Sequence, residues 1–295
     1  MSLTSQLKSG TSPVSSFFRD RLPYSRRFTA ELTKALRTAD PVRPSYKDSS
    51  NLASLAFDYR VRFYIGGRDT GSLPARKGAQ ICSGSYLSEN LISEFFHALD
   101  ELLAQIPVQS LAKSQFEERL LRYCIVLALL EQFYRAPPQY YDASPLAKLV
   151  ANNSDELLEI ADDARLDDLS RLGDKLHTRL SKIKLRNVVI GPEFAGSLDV
   201  GGADGDLIID GCLLDVKVSN ADRARTSWIR QQIGYALLDY TNEYGIDRIG
   251  FYLGRQGALV IWRLVDTVRE MAGDSSVSLS SLRAEFREHL EKSGW

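Results

Sequence analysis

Three charged residues in the second half of the chain have the types and spacing of a metal-dependent hydrolytic site. Asp206 precedes a short apolar run, Asp215 and Lys217 follow the next one, and Asp210-Gly211 separates the two runs. Carboxylates bind Mg²⁺ together with water and substrate phosphate. A lysine beside such a metal is a mobile point charge that can orient or deprotonate a water molecule. Hydrolysis of a phosphate ester is therefore the chemistry that these residue types favour.

The Asp-Gly pair predicts a two-residue type I′ turn between two strands, and this turn fixes how the charged side chains meet. The predicted pairs are Ile209 with Cys212, Ile208 with Leu213, Leu207 with Leu214, and Asp206 with Asp215. Opposite residues share a face, with Cβ atoms ~5 Å apart. Side chains alternate along a strand, so Lys217 shares the face of Asp215 and Asp204 that of Asp206. The apolar bodies of both strands predict that this charged cluster lies in a partly closed cleft.

Two carboxylates placed opposite each other repel, which destabilises a strand pair. Partial burial of such a pair raises the pKa of one member unless a cation neutralises it. Lys217 offsets only one of the two charges. A divalent metal resolves the rest, and Mg²⁺ or Mn²⁺ is the expected cofactor.

The pattern Asp206, then Asp215-Val216-Lys217 on the next strand, resembles the D…(D/E)-x-K motif of the PD-(D/E)xK nuclease superfamily. Gln231-Gln-Ile-Gly-Tyr235 resembles the Q-x-x-x-Y motif of its exonuclease-like branch. Glutamine and tyrosine four residues apart share one helix face, so both can reach the same phosphate. The chain departs from the family in having no proline before Asp206. The resemblance covers residues 166–295 only.

The resemblance implies a restriction-endonuclease-like core and a metal-dependent phosphodiesterase that acts on nucleic acid, with DNA as the expected substrate and endonucleolytic cleavage as the expected activity. It implies roles for five catalytic residues, for metal ligands and for substrate-binding residues. The metal ligands are Asp206, Asp215 and the Val216 carbonyl; Lys217 positions the attacking water; Gln231 and Tyr235 hold the substrate backbone. Glu193, Asp199 and Asp204 are alternative sources of a further acid. Arg223, Arg225 and Arg230 either bind backbone phosphate or belong to a solvated loop.

The periodicity along the chain predicts an α/β fold, in the α+β sense of a mixed central sheet flanked by helices, preceded by a mostly helical region. From about residue 170 the predicted order is helix, three strands, helix, two strands and a terminal helix. Alternation also predicts a strand at Phe57–Ile65, and the glycines of 66–84 predict a loop. Helices are expected over 86–106, 111–135 and 172–183, with a solvated acidic helix face at 154–171.

Composition changes predict three segments: a basic segment over 1–50, a mainly helical accessory region over 51–165, and a nuclease-like domain over 166–295. Residues 1–47 carry nine Lys and Arg against three acids. Such a segment either contacts phosphate or is a solvated terminus. The helical first half is the expected surface for a protein partner or a homo-oligomer.

The overall composition excludes several classes of protein. A net charge of −1 excludes a polycation, and the longest apolar run, 124–130, is too short to span a membrane. The terminus lacks the apolar core of a signal peptide. Three widely separated cysteines argue against disulfides and thiolate zinc sites and predict a cytoplasmic protein. Prokaryotic restriction or phage defence is the setting that the resemblance implies. The alternatives are an inactive nuclease fold used for binding or assembly, and a structural protein that uses the acidic helix as an interface.

Overall fold

The computed structural model describes residues 2–38, 40–46, 51–111 and 114–293, and shows a mixed α/β fold. Residues 47–50, at the end of the predicted basic segment, lie outside the described residues. The helices and strands, in chain order, are α1 (Leu3–Lys8), α2 (Pro13–Arg21), α3 (Arg26–Thr38), α4 (Leu52–Ile65), α5 (Pro74–Cys82), α6 (Glu89–Gln105), α7 (Ser114–Arg135), α8 (Ser154–Leu158), α9 (Asp163–Leu180), β1 (Val188–Ile190), β2 (Leu207–Ile209), β3 (Cys212–Lys217), α10 (Thr226–Leu238), β4 (Arg248–Leu253), β5 (Ala258–Arg263), α11 (Leu264–Ala272) and α12 (Leu279–Lys292). Short 3₁₀ helices lie at Pro138–Ala143, Pro145–Lys148 and Leu198–Val200.

The chain forms two compact units. The sheet unit combines the described residues up to 40 with those from 185 onward, and the helical unit comprises those from 41 to 184. These boundaries differ from the predicted ones at 50/51 and 165/166. The N-terminal helices belong with the sheet because their apolar side chains, among them Leu3, Phe18 and Leu32, are buried in its core. Helix α9 runs uninterrupted through the second predicted boundary.

The sheet has the order β1-β2-β3-β4-β5. Neighbouring strands are antiparallel except for β3 and β4, which are parallel. A parallel pair needs a crossover connection, and α10 supplies it between β3 and β4. The predicted order of helices and strands from residue 170 to residue 264 is confirmed, as is the mixed sheet. Helix α11 follows β5 directly and was not predicted.

The register of the β2–β3 hairpin is also confirmed. Leu207 pairs with Leu214, Ile208 with Leu213, and Ile209 with Cys212. Asp210 and Gly211 have φ values of 48° and 78°, as a type I′ turn requires. The Asp210 carboxylate also accepts a hydrogen bond from the Asn187 backbone N–H at 3.0 Å, which ties the turn to the start of β1.

One face of the sheet packs against α10. Ile208 and Leu213 on this face join the same apolar cluster as Ile229 and Ile233 of α10. Side chains alternate along β3, so Asp215 and Lys217 lie on the face of Leu213, under the helix. The apolar part of the hairpin therefore anchors the helix at one end of the face and leaves the charged part at the other.

The helical unit contains the one strand prediction that is wrong. Residues Phe57–Ile65 form the second part of α4, and most of them are buried. A helix buried on nearly all sides has no continuous polar stripe. Here Phe57, Tyr59 and Val61 alternate with charged residues by chance and imitate the period of a strand. The ion pair of Arg60 with Glu117, at 2.7 Å, neutralises a guanidinium that the helix buries.

The other predictions in this unit have mixed outcomes. Helices α6 and α7 confirm those over 86–106 and 111–135, apart from 112–113, which lie outside the described residues. The predicted loop of 66–84 is wrong over Pro74–Cys82, where α5 begins with a proline at a position that needs no backbone N–H. The acidic stretch 154–171 and the expected helix at 172–183 are divided differently, because α9 joins the second half of the first to most of the second. Within the described parts of the chain, we find no helix with the length and apolar character that crossing a bilayer demands.

Candidate active site

Strand β3 places an ion pair at the end of the hairpin distant from the turn. The Lys217 Nζ lies 2.6 Å from Asp215 Oδ2. Asp215 is only 2% exposed, and the Lys217 side chain is 20% exposed. The ammonium also lies 5.8 Å from the centre of the Trp228 ring on α10. The pair is therefore held in a largely buried position between β3 and the first turns of the helix.

Asp206 reaches the same position from the strand that precedes the turn. The confirmed register, continued by one residue, puts Asp206 opposite Asp215. Its Oδ2 accepts a hydrogen bond from the Val216 backbone N–H at 2.7 Å. A residue that directs its N–H toward the neighbouring strand directs its C=O the same way. The Val216 carbonyl is therefore on the side of β3 that faces Asp206.

The charges of the three side chains act on one another. Burial raises the pKa of Asp215, Lys217 lowers it, and Asp206 raises it again, with a net rise to about 7. Burial lowers the pKa of Lys217, but the two carboxylates raise it by more, so its pKa is above the ordinary value. The contact of Lys217 with Asp215 and that of Asp206 with the Val216 backbone bring the three side chains together, as the predicted register requires.

Helix α10 brings Tyr235 and Gln231 to the same place. Burial raises the pKa of Tyr235, and the charges of both aspartates raise it further, so the phenol lies close to the two carboxylates. Gln231 Nε2 donates to Tyr235 Oη at 2.8 Å and to Thr4 Oγ1 at 3.1 Å. The Tyr235 ring stacks on Phe194, with ring centres 5.6 Å apart. Five predicted site residues are thus assembled around one cleft.

Three residues of the cleft were not predicted from the sequence. Gln232 is 1% exposed and lies beside Asp215, whose pKa it lowers, yet neither of its amide atoms has a well-aligned hydrogen bond. Trp228 covers Lys217, and Thr4 of α1 contacts Gln231. Two consecutive glutamines in an otherwise apolar helix were the available signal for Gln232. Nothing in the sequence placed Thr4 near a residue more than 200 positions away.

The three alternative acids lie elsewhere or remain at the surface. Asp199 accepts a hydrogen bond from Tyr240 Oη at 2.8 Å. Glu193 and Asp204 are both exposed and form an isolated antiparallel bridge with each other. Among the residues that the structure describes, no three His, Cys, Asp or Glu side chains form a metal-binding group. In this structure, none of the three acids therefore joins Asp206 and Asp215.

The predicted phosphate-binding arginines separate into two groups. Arg223 and Arg225 are exposed in the loop before α10. Arg230 is half-buried, with its guanidinium 6.0 Å from the centre of the Phe18 ring. Burial and the nearby Arg19 lower the pKa of Arg230. Arg230 is therefore packed against α2, whereas Arg223 and Arg225 are free of such packing and keep their charges at the surface.

The donor set fits a divalent metal such as Mg²⁺. Two carboxylates converge, and the Val216 carbonyl faces the same edge of β3. The Asp215 Oδ2 is buried without a well-aligned hydrogen bond, although Lys217 is within ion-pair distance. Hard oxygen donors of this type, completed by water and phosphate oxygens, suit Mg²⁺. Asp206, Asp215 and the Val216 carbonyl would hold the cation.

Comparison with known proteins adds no family assignment, because the chain matches none of the family models, curated proteins or solved structures that it was compared with.

Proposed function

We propose that the protein is a metal-dependent nuclease that hydrolyses phosphodiester bonds of DNA, cutting within the strand. The observation that carries this proposal is the convergence of Asp206, Asp215 and Lys217 on one sheet face. In a hairpin with a purely structural role, two repelling carboxylates in a buried position would only lower the stability of the fold. Such a cluster is typical of a site that binds a cation during function.

The arrangement of the sheet unit supports the proposal. Three antiparallel strands are followed by a helix that crosses to a parallel fourth strand. This is the order expected for the restriction-endonuclease-like core of the PD-(D/E)xK superfamily. The motif residues lie at the corresponding positions, since Asp206 precedes β2, Asp215 and Lys217 lie on β3, and Gln231 and Tyr235 lie on α10.

Each residue of the cleft has a distinct task in the proposed reaction. A bound divalent cation neutralises charge on the phosphate and makes water a better nucleophile at neutral pH. Asp206 and Asp215 bind that cation, and Asp206 is itself oriented by the Val216 N–H. Lys217 holds the attacking water by donating a hydrogen bond and placing positive charge beside it. Tyr235 donates its hydroxyl proton to an oxygen of the substrate backbone, and Gln231, which donates to the Tyr235 oxygen, orients that hydroxyl. Gln231 itself reaches the substrate backbone by exchanging its bond to Thr4 for one to a substrate oxygen.

The proposal is tested by incubating the full-length protein with supercoiled plasmid, linear duplex, single-stranded DNA and RNA, each with Mg²⁺, Mn²⁺ or EDTA. We expect plasmid to be nicked or linearised with either metal and to stay intact in EDTA. Cleavage of the closed circle shows endonuclease action, because an exonuclease needs a free end. Failure to cut any of the four substrates with either metal would refute the nuclease proposal and favour an inactive nuclease fold.

Metal binding is expected to weaken as the pH falls below about 7. Burial raises the pKa of Asp215 to about 7 despite Lys217, and Asp206 contributes to the rise. At pH 6 the metal-free carboxyl is mainly protonated and must release a proton before it can bind a cation, whereas at pH 8 it is already ionised. The increase in melting temperature on adding Mn²⁺ should therefore be larger at pH 8 than at pH 6.

This pH dependence is measured by thermal unfolding at several Mn²⁺ concentrations. The apparent dissociation constant should rise by up to about tenfold for each pH unit below 7. Asp215→Ala is the matched control and should show no metal-dependent shift at either pH. Equal shifts at pH 6 and pH 8 in the parental protein would contradict a role for the Asp215 carboxyl as a ligand.

A further inference from the structure

Helix α3 forms one wall of a groove in the sheet unit, separate from the cleft described above. The groove has a volume of about 690 Å³. Its other wall includes Thr226, the first residue of α10. The cationic and hydroxyl side chains that line it are Ser25, Arg26, Thr29, Thr33, Lys34, Arg37 and Thr226.

The charge of this groove has one sign. Among the described residues that line it, three are cations and none is Asp or Glu. Arg26 forms no ion pair within the part of the chain that the structure describes. Its neighbour Arg27 points away from the groove, where it pairs with Glu31 and Glu270. Arg26 therefore contributes a positive charge to the groove that no ion pair among the described residues offsets.

The third cation is tied to the loop that precedes α10. Arg37 Nε donates to the Asp222 carbonyl at 2.9 Å, and its guanidinium lies 3.7 Å from the Asp222 carboxylate. The Ala224 N–H donates to Thr33 Oγ1 at 3.1 Å. These contacts fix the loop that carries Arg223 and Arg225 against α3. The loop with the two exposed arginines is therefore held beside residues that line the groove.

The border of the groove and the proposed active site share the first turn of α10. Thr226 at that border and Trp228, which covers Lys217, belong to the first turn of α10. The cations from Arg26 to Arg37 extend over eleven residues of α3, a distance of ~16 Å at the rise of an α-helix. Consecutive phosphates of a duplex strand advance ~3.4 Å along the axis, so the row can follow several phosphates.

From these features we propose that the α3 groove binds the sugar-phosphate backbone of the nucleic acid whose scissile phosphate lies at Lys217. Arg26, Lys34 and Arg37 neutralise phosphates, and the hydroxyl of Thr226 at the border of the groove can donate to a phosphate oxygen. The inference rests on the proposed nuclease function and names the substrate path for it. Recognition of this kind depends on charge and carries no base specificity.

The test compares nucleic-acid binding by the parental protein, Arg26→Ala/Lys34→Ala, and the control Arg263→Ala/Lys292→Ala. Both double variants remove two positive charges from exposed side chains of the sheet unit. Fluorescence anisotropy with labelled duplex and single-stranded DNA is measured in EDTA, so that no cleavage occurs, over a range of salt concentrations. Parental cleavage of plasmid with Mg²⁺ is measured in parallel.

The groove variant should bind about 10- to 100-fold more weakly near 0.1 M salt, with a log–log salt slope shallower by about 1.8 for duplex DNA. The control variant should keep parental affinity and slope. Parental cleavage together with unchanged binding and slope in the groove variant would overturn the inference while leaving the nuclease proposal intact. Weakened binding by the groove variant with no parental cleavage would keep the groove as a nucleic-acid site and refute the nuclease. A parental protein that neither binds nor cuts would overturn both.

Discussion

Asp206→Ala and Asp215→Ala are each expected to lower the rate of plasmid cleavage by at least about 10³-fold, because each removes a ligand of the catalytic cation. Asp215 lies on β3 with only 2% of its surface exposed, and Asp206 is fixed by the Val216 N–H at 2.7 Å. An alanine at either position supplies no oxygen donor for the cation. The loss should be measured as initial nicking rates under saturating Mg²⁺.

Lys217→Ala is expected to lose cleavage to a similar degree for a different reason. The lysine carries no ligand atom for a cation while protonated, and both aspartates raise its pKa, so it stays charged. Removing it leaves the two carboxylates in place with less competition from the ion pair at 2.6 Å. The Mn²⁺-dependent rise in melting temperature should therefore persist in Lys217→Ala and be absent from both aspartate variants.

Asp199→Asn is the matched control for the aspartate variants. Asp199 was a candidate acid in the sequence, but its carboxylate accepts a hydrogen bond from Tyr240, and an asparagine oxygen can accept the same bond. This variant should retain parental cleavage. A parental rate in either Asp206→Ala or Asp215→Ala would show that the site is assigned wrongly, whereas loss of cleavage in Asp199→Asn would show that the third acid is Asp199.

The part of the site on the hairpin was predictable because its geometry is local. An Asp-Gly turn fixes the register of two strands, and the register fixes which side chains face each other, without reference to any distant residue. The same holds for Gln231 and Tyr235, which share a helix face because they are four residues apart. Their observed hydrogen bond, at 2.8 Å, is consistent with that spacing.

The contacts between distant parts of the chain were not predictable in this way. Thr4 meets Gln231, and Leu3 packs against Gly234, through the docking of α1 on α10. Periodicity in a six-residue helix is too short to reveal an apolar face, although the cap on Ser2 marks its start. The basic composition of residues 1–47 did not reveal that α1, α2 and α3 each bury apolar side chains in the core of the sheet unit. The basic side chains of these helices lie at the surface. Composition counts exposed and buried residues together, so it cannot show that a segment rich in basic residues also has a buried apolar face.

The division of the chain into two units was also not predictable from local sequence. A boundary predicted from composition assumes that neighbours in sequence are neighbours in space. Here residues up to 40 pack with those after 184, so the sheet unit is discontinuous in sequence. The helical unit is an insertion in the sequence between α3 and β1.

Gly78→Ala is expected to destabilise the helical unit by about 3 kcal/mol or more, since overpacking against a rigid partner is among the costliest core changes. A Cβ on Gly78 of α5 would lie 1.7 Å from the Leu130 carbonyl oxygen of α7 and 2.5 Å from its carbon. Both atoms belong to the backbone of a helix and cannot rotate away as a side chain can. The two helices must separate, which exposes apolar surface along α7.

Gly173→Ala in α9 provides the matched control, because it makes the same substitution inside another helix of the same unit. Its Cβ would have no neighbour closer than 3.8 Å, so it should stabilise the unit by about 0.5–1 kcal/mol through helix propensity. Urea unfolding monitored by circular dichroism measures both changes. Equal midpoints for the two variants would contradict the close approach of α5 and α7.

The Gly78→Ala variant also tests whether the sheet unit binds metal when the helical unit is unfolded. Every residue assigned to the proposed metal site belongs to the sheet unit. At a urea concentration that unfolds the helical unit of Gly78→Ala, amide hydrogen exchange of β3 should still be slowed by Mn²⁺, because ligand binding stabilises whichever unit contains the site. Loss of that protection together with the helical signal would show that the sheet unit cannot hold its carboxylates in place without the inserted helices.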